Sequence, residues 1–149
     1  MDKKRLTKIL ANADKNAVAS LSAHVQEQHH PTILKEPGKT LAMTKMRDPV
    51  KQSLFYIGEV IVSEAMVELD GAKGAAVCMG DDTERALHMA MIDAAVNRGV
   101  FDDMDTLLAL EKEQEERVQR ENALHLKTMV SFTSMDQEVP KDVNAFKKA

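Results

Sequence analysis

The sequence predicts an α+β fold: a small antiparallel sheet with helices packed on one face, N-terminal helices and a long C-terminal helix. Apolar residues recur at helical spacing in residues 1–30 and 82–130, whereas β-branched and aromatic residues concentrate in 32–80. The chain has 149 residues, enough for one hydrophobic core and too few for two. We therefore predict a single domain over 1–149, ending in a tail at 134–149.

Two short helices are predicted before residue 30. Leu6 and Ile9 begin an apolar face in the first helix, and residues 18–25 repeat the same spacing in the second. The polar run 12–16 separates the two helices. Pro31 ends the region, because proline disfavours the helical conformation in the residue before it.

The first part of the sheet is predicted as two strands joined by a turn. Residues 32–35 and 40–46 have strand character, and the Pro-Gly pair within 36–39 predicts the turn between them. The Asp-Pro pair at 48–49 ends the second of these strands.

The strongest strand signal lies over 55–69, which is rich in Val, Ile and aromatic residues. Gly58 within it predicts a bulge or bend. Asp70-Gly71 is a hairpin turn signal, because it stands between this run and a second apolar run at 75–79.

A helix is predicted over 83–98, with Asp82 as its N-cap and Gly99 just beyond its end. It is apolar nearly all round, whereas a surface helix shows one polar face. We therefore expect the sheet to cover one side, and another protein, or in part the C-terminal helix, to cover the other. The candidate interface residues are Ala86, Leu87, Ala90, Met91 and Ala94.

The last helix is predicted to begin near Asp103 or Met104 and to reach about Val130. Residues 111–122 are almost wholly charged or polar, which is typical of a solvated helix face.

The composition excludes several classes of protein. A net charge of −4 and a pI near 5.7 argue against nucleic-acid binding. The sequence has no apolar run long enough for a membrane span and no leader-like apolar segment after its charged start. The single cysteine, Cys78, fits a reducing compartment. We expect a cytoplasmic protein without nucleic-acid or membrane partners.

The chain carries no motif for catalysis or cofactor binding that we recognise. It has no metal-ligand spacing of Cys or His, no Gly-x-Ser-x-Gly elbow and no phosphate-binding loop. We therefore predict no catalytic, cofactor-binding or metal-binding residue. Its ten methionines are typical of a core with irregular gaps, and also of an adaptable contact surface.

Three acidic residues are candidates for a structural or a functional role. Asp82 is best explained as a helix cap. Asp93 lies within the apolar helix, where an unpaired charge would be costly, so it needs an arginine or backbone amides as partners. Glu59 follows Gly58 in the strand region. For Glu59 and Asp93, a structural bond and a functional contact both remain open.

A series of short motifs follows in fixed order between residues 36 and 129. They are Phe55-Tyr56-Ile57-Gly58-Glu59-Val60, Ser63-Glu64-Ala65-Met66-Val67, Asp70-Gly71, Gly74, Gly80-Asp81-Asp82 and Ile92-Asp93-Ala94. In order and spacing they resemble the PhnG family, the G subunit of the bacterial carbon–phosphorus lyase core complex. Lys45 and Arg47 fall where that family often has basic residues, which makes Arg47 a candidate functional residue.

The chain departs from the family pattern in two places. The family's Gly-Arg-Asp is Gly80-Asp81-Asp82 here, and its frequent Thr-Arg-Cys is Ser63-Glu64-Ala65. Basic groups of the family are therefore replaced by Asp81 and Glu64.

The resemblance implies a helper subunit that acts with the H, I, J and L subunits of the lyase system. With the H, I and L subunits it would attach a phosphonate to ribose C1 of ATP, displacing adenine and giving ribose 1-phosphonate 5-triphosphate. ATP with Mg would be a substrate of the complex and not a ligand of this chain. The glycosidic chemistry is attributed to the I subunit.

Two other interpretations remain. The chain could be a freestanding α+β ligand-binding or protein-binding module unrelated to phosphonates, and self-association as a homodimer is possible. It could also be a small enzyme that uses Glu59 or Asp93 as a base. Neighbouring reading frames that encode the other lyase subunits would distinguish the family interpretation from both.

Overall fold

The computed structural model describes residues 1–130 and has four helices and a three-stranded antiparallel sheet in that range. The elements are α1 (Lys3–Asn12), α2 (Lys15–Gln28), β1 (Thr32–Arg47), β2 (Leu54–Leu69), β3 (Ala72–Met79), α3 (Thr83–Arg98) and α4 (Met104–Lys127). The strands lie in the order β1-β2-β3. The predicted α+β class, with N-terminal helices and a C-terminal helix, is confirmed.

The chain divides into two compact units. Residues 1–116 form the first, which holds the sheet, α1 to α3 and the first half of α4. The second begins at Arg117, and its described part is the rest of α4 and the residues to Val130. The tail predicted at 134–149 lies outside the described residues. No helix among residues 1–130 combines the length and the hydropathy that crossing a membrane requires.

The N-terminal region folds as the sequence predicts, with a break between α1 and α2. Asp14 caps α2, because its side chain accepts a hydrogen bond of 2.8 Å from the Asn16 amide. Leu6 and Ile9 of α1 and Val18 of α2 are buried in the core.

The turn predicted at 36–39 is wrong, because β1 runs without interruption from Thr32 to Arg47. Lys35 pairs with Met66 and Gly38 with Glu64, so Glu36 and Pro37 together oppose a single residue of β2. This arrangement is a β-bulge. Pro37 has no backbone N–H to donate to a neighbouring strand. It is tolerated here because β1 is an edge strand.

The other two predictions for the sheet are confirmed. Asp70 and Gly71 form the two-residue β2–β3 turn, with φ of 49° and 83°. Two consecutive positive φ angles are characteristic of a type I′ hairpin turn. Beside Gly58 the β1–β2 register shifts by one residue, which leaves Ile57 as the bulged residue of β2.

α3 lies directly on β2 and β3, and a glycine permits this close approach. A Cβ atom added to Gly74 of β3 would overlap the carbonyl oxygen of Ala90 and the amide nitrogen of Ala94. The other end of the core is formed by α1, α2 and Leu107 of α4, all packed into one cluster. Arg5 of α1 holds α4 through two bonds to the Glu111 carboxylate, at 2.6 and 2.7 Å.

Candidate interaction surface

The predicted interface residues of α3 lie inside the fold. Ala86, Ala90, Met91 and Ala94 are buried, and Leu87 is half-buried. The small alanines do permit close backbone approach, but the backbone they approach is that of Gly74 in the same chain. The expectation that another protein covers this helix is corrected: α1 and α2 cover the side that the sheet leaves open.

Asp93 has the partners that a buried carboxylate requires. It is 5% exposed, and its Oδ2 accepts hydrogen bonds from the Ala75 amide at 2.9 Å and from Asn97 Nδ2 at 3.3 Å. Lys3 Nζ lies 3.1 Å from the same oxygen. These bonds join α3 to the edge of β3 and to α1, so a structural role accounts for Asp93.

Asp82 caps α3, as the sequence predicts. Its Oδ1 accepts a 3.0 Å bond from the Arg85 amide, and Lys15 Nζ lies 3.2 Å away. The amide bond is the largest of the causes that hold the pKa of Asp82 below its ordinary value. The Ser63 hydroxyl supports the cap, since it accepts from the Asp82 amide and donates to the Gly80 carbonyl.

No cluster of three or more His, Cys, Asp or Glu side chains suited to a metal ion occurs in residues 1–130. The Cys78 thiol is buried, and burial raises its pKa above the ordinary value. A thiol in that state is a weak nucleophile.

The two remaining predicted polar residues, Arg47 and Glu59, lie together on an extension of the sheet. β3 pairs with β2 only over Val62–Leu69, whereas β1 continues to pair with β2 as far as Leu54. Residues 41–61 thus form a two-stranded hairpin, here named the β-arm. Arg47 stands at its end, where Nη1 donates a 3.0 Å bond to the Gln52 carbonyl, and Glu59 is exposed.

The helical layer stops where the β-arm begins. Ile61 and Ser63 point to the same face of β2, because side chains two residues apart share a face. Ser63 is 0% exposed under the helices, but Ile61 is 54% exposed. Leu41, which pairs with Ile61, is 59% exposed.

Large apolar side chains are exposed on both faces of the β-arm. Leu41 and Met43 lie on the face that continues the core face, and the Met46–Phe55 pair lies on the opposite one. Lys45 Nζ stands 5.3 Å from the centroid of the Tyr56 ring. The exposed apolar residues of the arm are Leu41, Met43, Met46, Val50, Leu54, Phe55, Tyr56, Ile57 and Ile61.

An exposed hairpin of this composition has the physical features of a binding surface. Two strands alone are marginally stable in water, and monomers rarely expose large contiguous apolar patches. This surface is not among the sequence predictions, although the sequence carries one signal for it. The run Leu54-Phe55-Tyr56-Ile57 is apolar at every position, whereas a strand with one solvated face alternates apolar and polar residues.

Arg85 is also absent from the sequence predictions, and it has a structural role. Its Nη2 donates to the carbonyl oxygens of Leu10, Ala11 and Ala13, at 2.9, 2.9 and 2.6 Å. These carbonyls end α1, so the guanidinium satisfies acceptors that the helix leaves open. No pattern near Arg85 in the sequence indicates this distant contact.

Comparison with known proteins adds one finding. The family model described as "Phosphonate metabolism protein PhnG" matches residues 1–137, which include every helix and strand described above. Among curated proteins, no sequence matches the chain.

Proposed function

We propose, because the chain belongs to the PhnG family of phosphonate metabolism proteins, that it is an accessory subunit of the carbon–phosphorus lyase complex. The observation that carries this proposal is the β-arm, residues 41–61, whose large apolar side chains are exposed on both faces. A subunit that completes its fold by docking requires such a surface.

In this proposal the chain positions other subunits and does not perform the chemistry itself. Asp82 and Asp93 bond to backbone amides, and the Cys78 thiol is buried. The complex would transfer a phosphonate to ribose C1 of ATP with loss of adenine, giving ribose 1-phosphonate 5-triphosphate. ATP with Mg would bind to partner subunits, and this chain would help to shape the choice of phosphonate.

The partners we propose are the H, I, J and L subunits, in the cytoplasm. Arg47, Lys45 and Glu59 lie among the apolar residues of the β-arm and would orient the partner, because charges at an interface contribute to orientation more than to affinity. Self-association through the same arm is the competing interaction, and a homodimer stays a prediction.

Co-expression with a tagged I subunit and the H, J and L subunits tests the proposal. The unchanged chain is expected to co-elute with the tag. Leu41→Glu and Ile61→Glu place charges on the exposed face of the β-arm, and each is expected to reduce co-elution at least about tenfold, a loss of about 1.4 kcal/mol of binding.

Leu108→Glu is the matched control, because Leu108 is an exposed leucine of α4 outside the arm. All three variants are expected to melt within about 2 °C of the unchanged chain, as exposed positions tolerate substitution. Normal co-elution of both arm variants would remove the arm as the docking surface. Failure of the unchanged chain to co-elute with any of these subunits would refute the proposed function.

A further inference from the structure

A groove at the opposite edge of the sheet has features of a strand-binding site. It has a volume of about 750 Å³ and lies between α1 and β3, with Lys4, Thr7 and Lys8 on one side and Ala75 and Val77 on the other. None of these residues belongs to the β-arm. The groove therefore lies apart from the surface assigned to the proposed function.

The backbone of β3 presents open hydrogen-bonding groups to this groove. The Gly80 amide donates to the Ile61 carbonyl of β2, and the Ala75 amide donates away from β2, to Asp93. Because backbone groups alternate sides along a strand, the N–H and C=O of Val77 and the N–H of Met79 also face away from β2.

The covering of this edge stops short of Val77. Asn97 Nδ2 donates to the Lys73 carbonyl at 2.8 Å, and the Asp93 carboxylate accepts from the Ala75 amide. Side chains of α3 therefore bind the outward-facing backbone groups at the start of β3. In the described part of the chain, β3 pairs with no strand except β2. Val77 and Met79 are 51% and 80% exposed.

The charge of the groove selects among strand-like ligands. Lys3, Lys4 and Lys8 line it with a single carboxylate, Asp2. Lys3 is paired with Asp93, and the Glu111 carboxylate, which Arg5 binds, interacts electrostatically with Lys8. Lys4 forms no ion pair within residues 1–130. The cationic side is α1, and the side beside Val77 is apolar.

We propose that the groove between α1 and β3 binds an extended acidic segment of another polypeptide, which adds a fourth strand beside β3. Its backbone pairs with Val77 and Met79. Its side chains alternate, because those toward α1 meet Lys4 and Lys8, whereas those toward the other face meet Val77. The preferred ligand is therefore an extended segment in which acidic and apolar residues alternate.

The probe is a Glu-Val-Glu-Val-Glu-Val segment joined to the N-terminus of the full chain through a flexible Gly-Ser linker of about 12 residues. Such a linker spans roughly 18 Å and gives an effective concentration in the millimolar range. Amide hydrogen exchange at Val77 and Met79 measures strand pairing directly. Exchange is expected to slow at least about tenfold relative to a fusion that carries the linker alone.

The matched control replaces the three glutamates of the probe with lysines. This probe is expected to leave exchange at Val77 and Met79 unchanged in the native chain. With Lys4→Glu and Lys8→Glu together, the preference is expected to reverse in favour of the lysine probe. Both substitutions lie at exposed positions of α1, and melting checks that the fold persists.

Three results would overturn the proposal. The first is unchanged exchange with the glutamate probe. The second is equal protection by the two probes, which would mean pairing without selection by charge. The third is protection by the glutamate probe that persists in the Lys4→Glu, Lys8→Glu variant. None of these measurements involves the lyase subunits, so they do not depend on the proposed function.

Discussion

At the scale of single residues, the contact between β3 and α3 depends on the absence of a side chain at Gly74. A Cβ atom there would overlap backbone atoms of α3 and would lie 2.7 Å from the Ala94 Cβ. Helix backbone cannot move aside as a flexible side chain does, so the substitution forces α3 away from the sheet.

Gly74→Ala is therefore expected to lower the free energy of unfolding by about 3 kcal/mol. Denaturant unfolding followed by circular dichroism measures this change. Gly38→Ala in β1 is the matched control, because its Cβ would meet nothing closer than 3.8 Å. The control is expected to be neutral or stabilising by up to about 1 kcal/mol. Equal stability of the two variants would contradict the close contact.

His88 makes stability depend on pH. Its Nδ1 lies 2.6 Å from the Ser22 hydroxyl, and burial is the main cause that lowers the pKa of His88 below its ordinary value. In the unfolded chain a histidine titrates near pH ~6.5. As the pH falls below that value, protons bind the unfolded chain first, so the free energy of unfolding decreases.

His88→Asn retains a polar group near Ser22 and removes the titration. Between about pH 5.5 and 7.5 its unfolding free energy is expected to rise less with pH than that of the unchanged chain. His24 is the control of opposite sign. Its hydrogen bond to Asp103 raises its pKa, so its contribution is present below pH ~6.5 and is lost as the pH rises through the folded-state pKa. His24→Asn is expected to make the rise steeper.

At the scale of elements, the β2–β3 hairpin depends on its two-residue turn. Gly71 has a φ of 83°, a conformation that β-branched residues rarely adopt. Gly71→Val is expected to lower the free energy of unfolding by about 1–2 kcal/mol. Gly71→Asn is the control, because asparagine tolerates this conformation. Equal melting temperatures of the two variants would contradict a requirement for this backbone conformation at Gly71.

The strand β1 shows how pairing overrides a local turn signal. Pro37-Gly38 predicts a turn when read alone, yet the ladder with β2 continues on both sides of it. The bulge absorbs the proline at a sheet edge, where its missing N–H breaks no central hydrogen bond. The difference comes from the part of β2 that pairs here, Glu64 to Met66, which lies more than twenty residues away in the sequence.

At the scale of the whole molecule, several charged groups within residues 1–130 connect elements of the fold. Asp93 joins α3 to β3, Arg85 ends α1 and Glu111 holds α4 to α1. The isolated chain is therefore expected to release no adenine from ATP when a phosphonate is present. Chromatographic detection of adenine checks this, with the reconstituted complex as the positive control. Adenine release that follows the pure chain through successive columns would contradict the assignment.

Much of the fold and little of the candidate site could be predicted from the sequence. The hairpin turn at Asp70-Gly71 and the cap at Asp82 were predicted, because each signal lies within a few residues of the feature it forms. The sequence also indicates that α3 is covered on its second side, but it assigns this cover to another protein or in part to the C-terminal helix. α1 and α2, far away in the sequence, supply it.

The sequence by itself determined the α+β class, the place of the sheet between the N-terminal helices and α3, and the capped limits of α3, since periodicity and caps act through neighbouring residues. Only the tertiary structure decided which apolar residues are exposed. β1 and β2 each have sixteen residues and β3 has eight, so the β-arm extends beyond both β3 and the helical layer. Its side chains resemble those of a core strand, and their exposure depends on where other elements end.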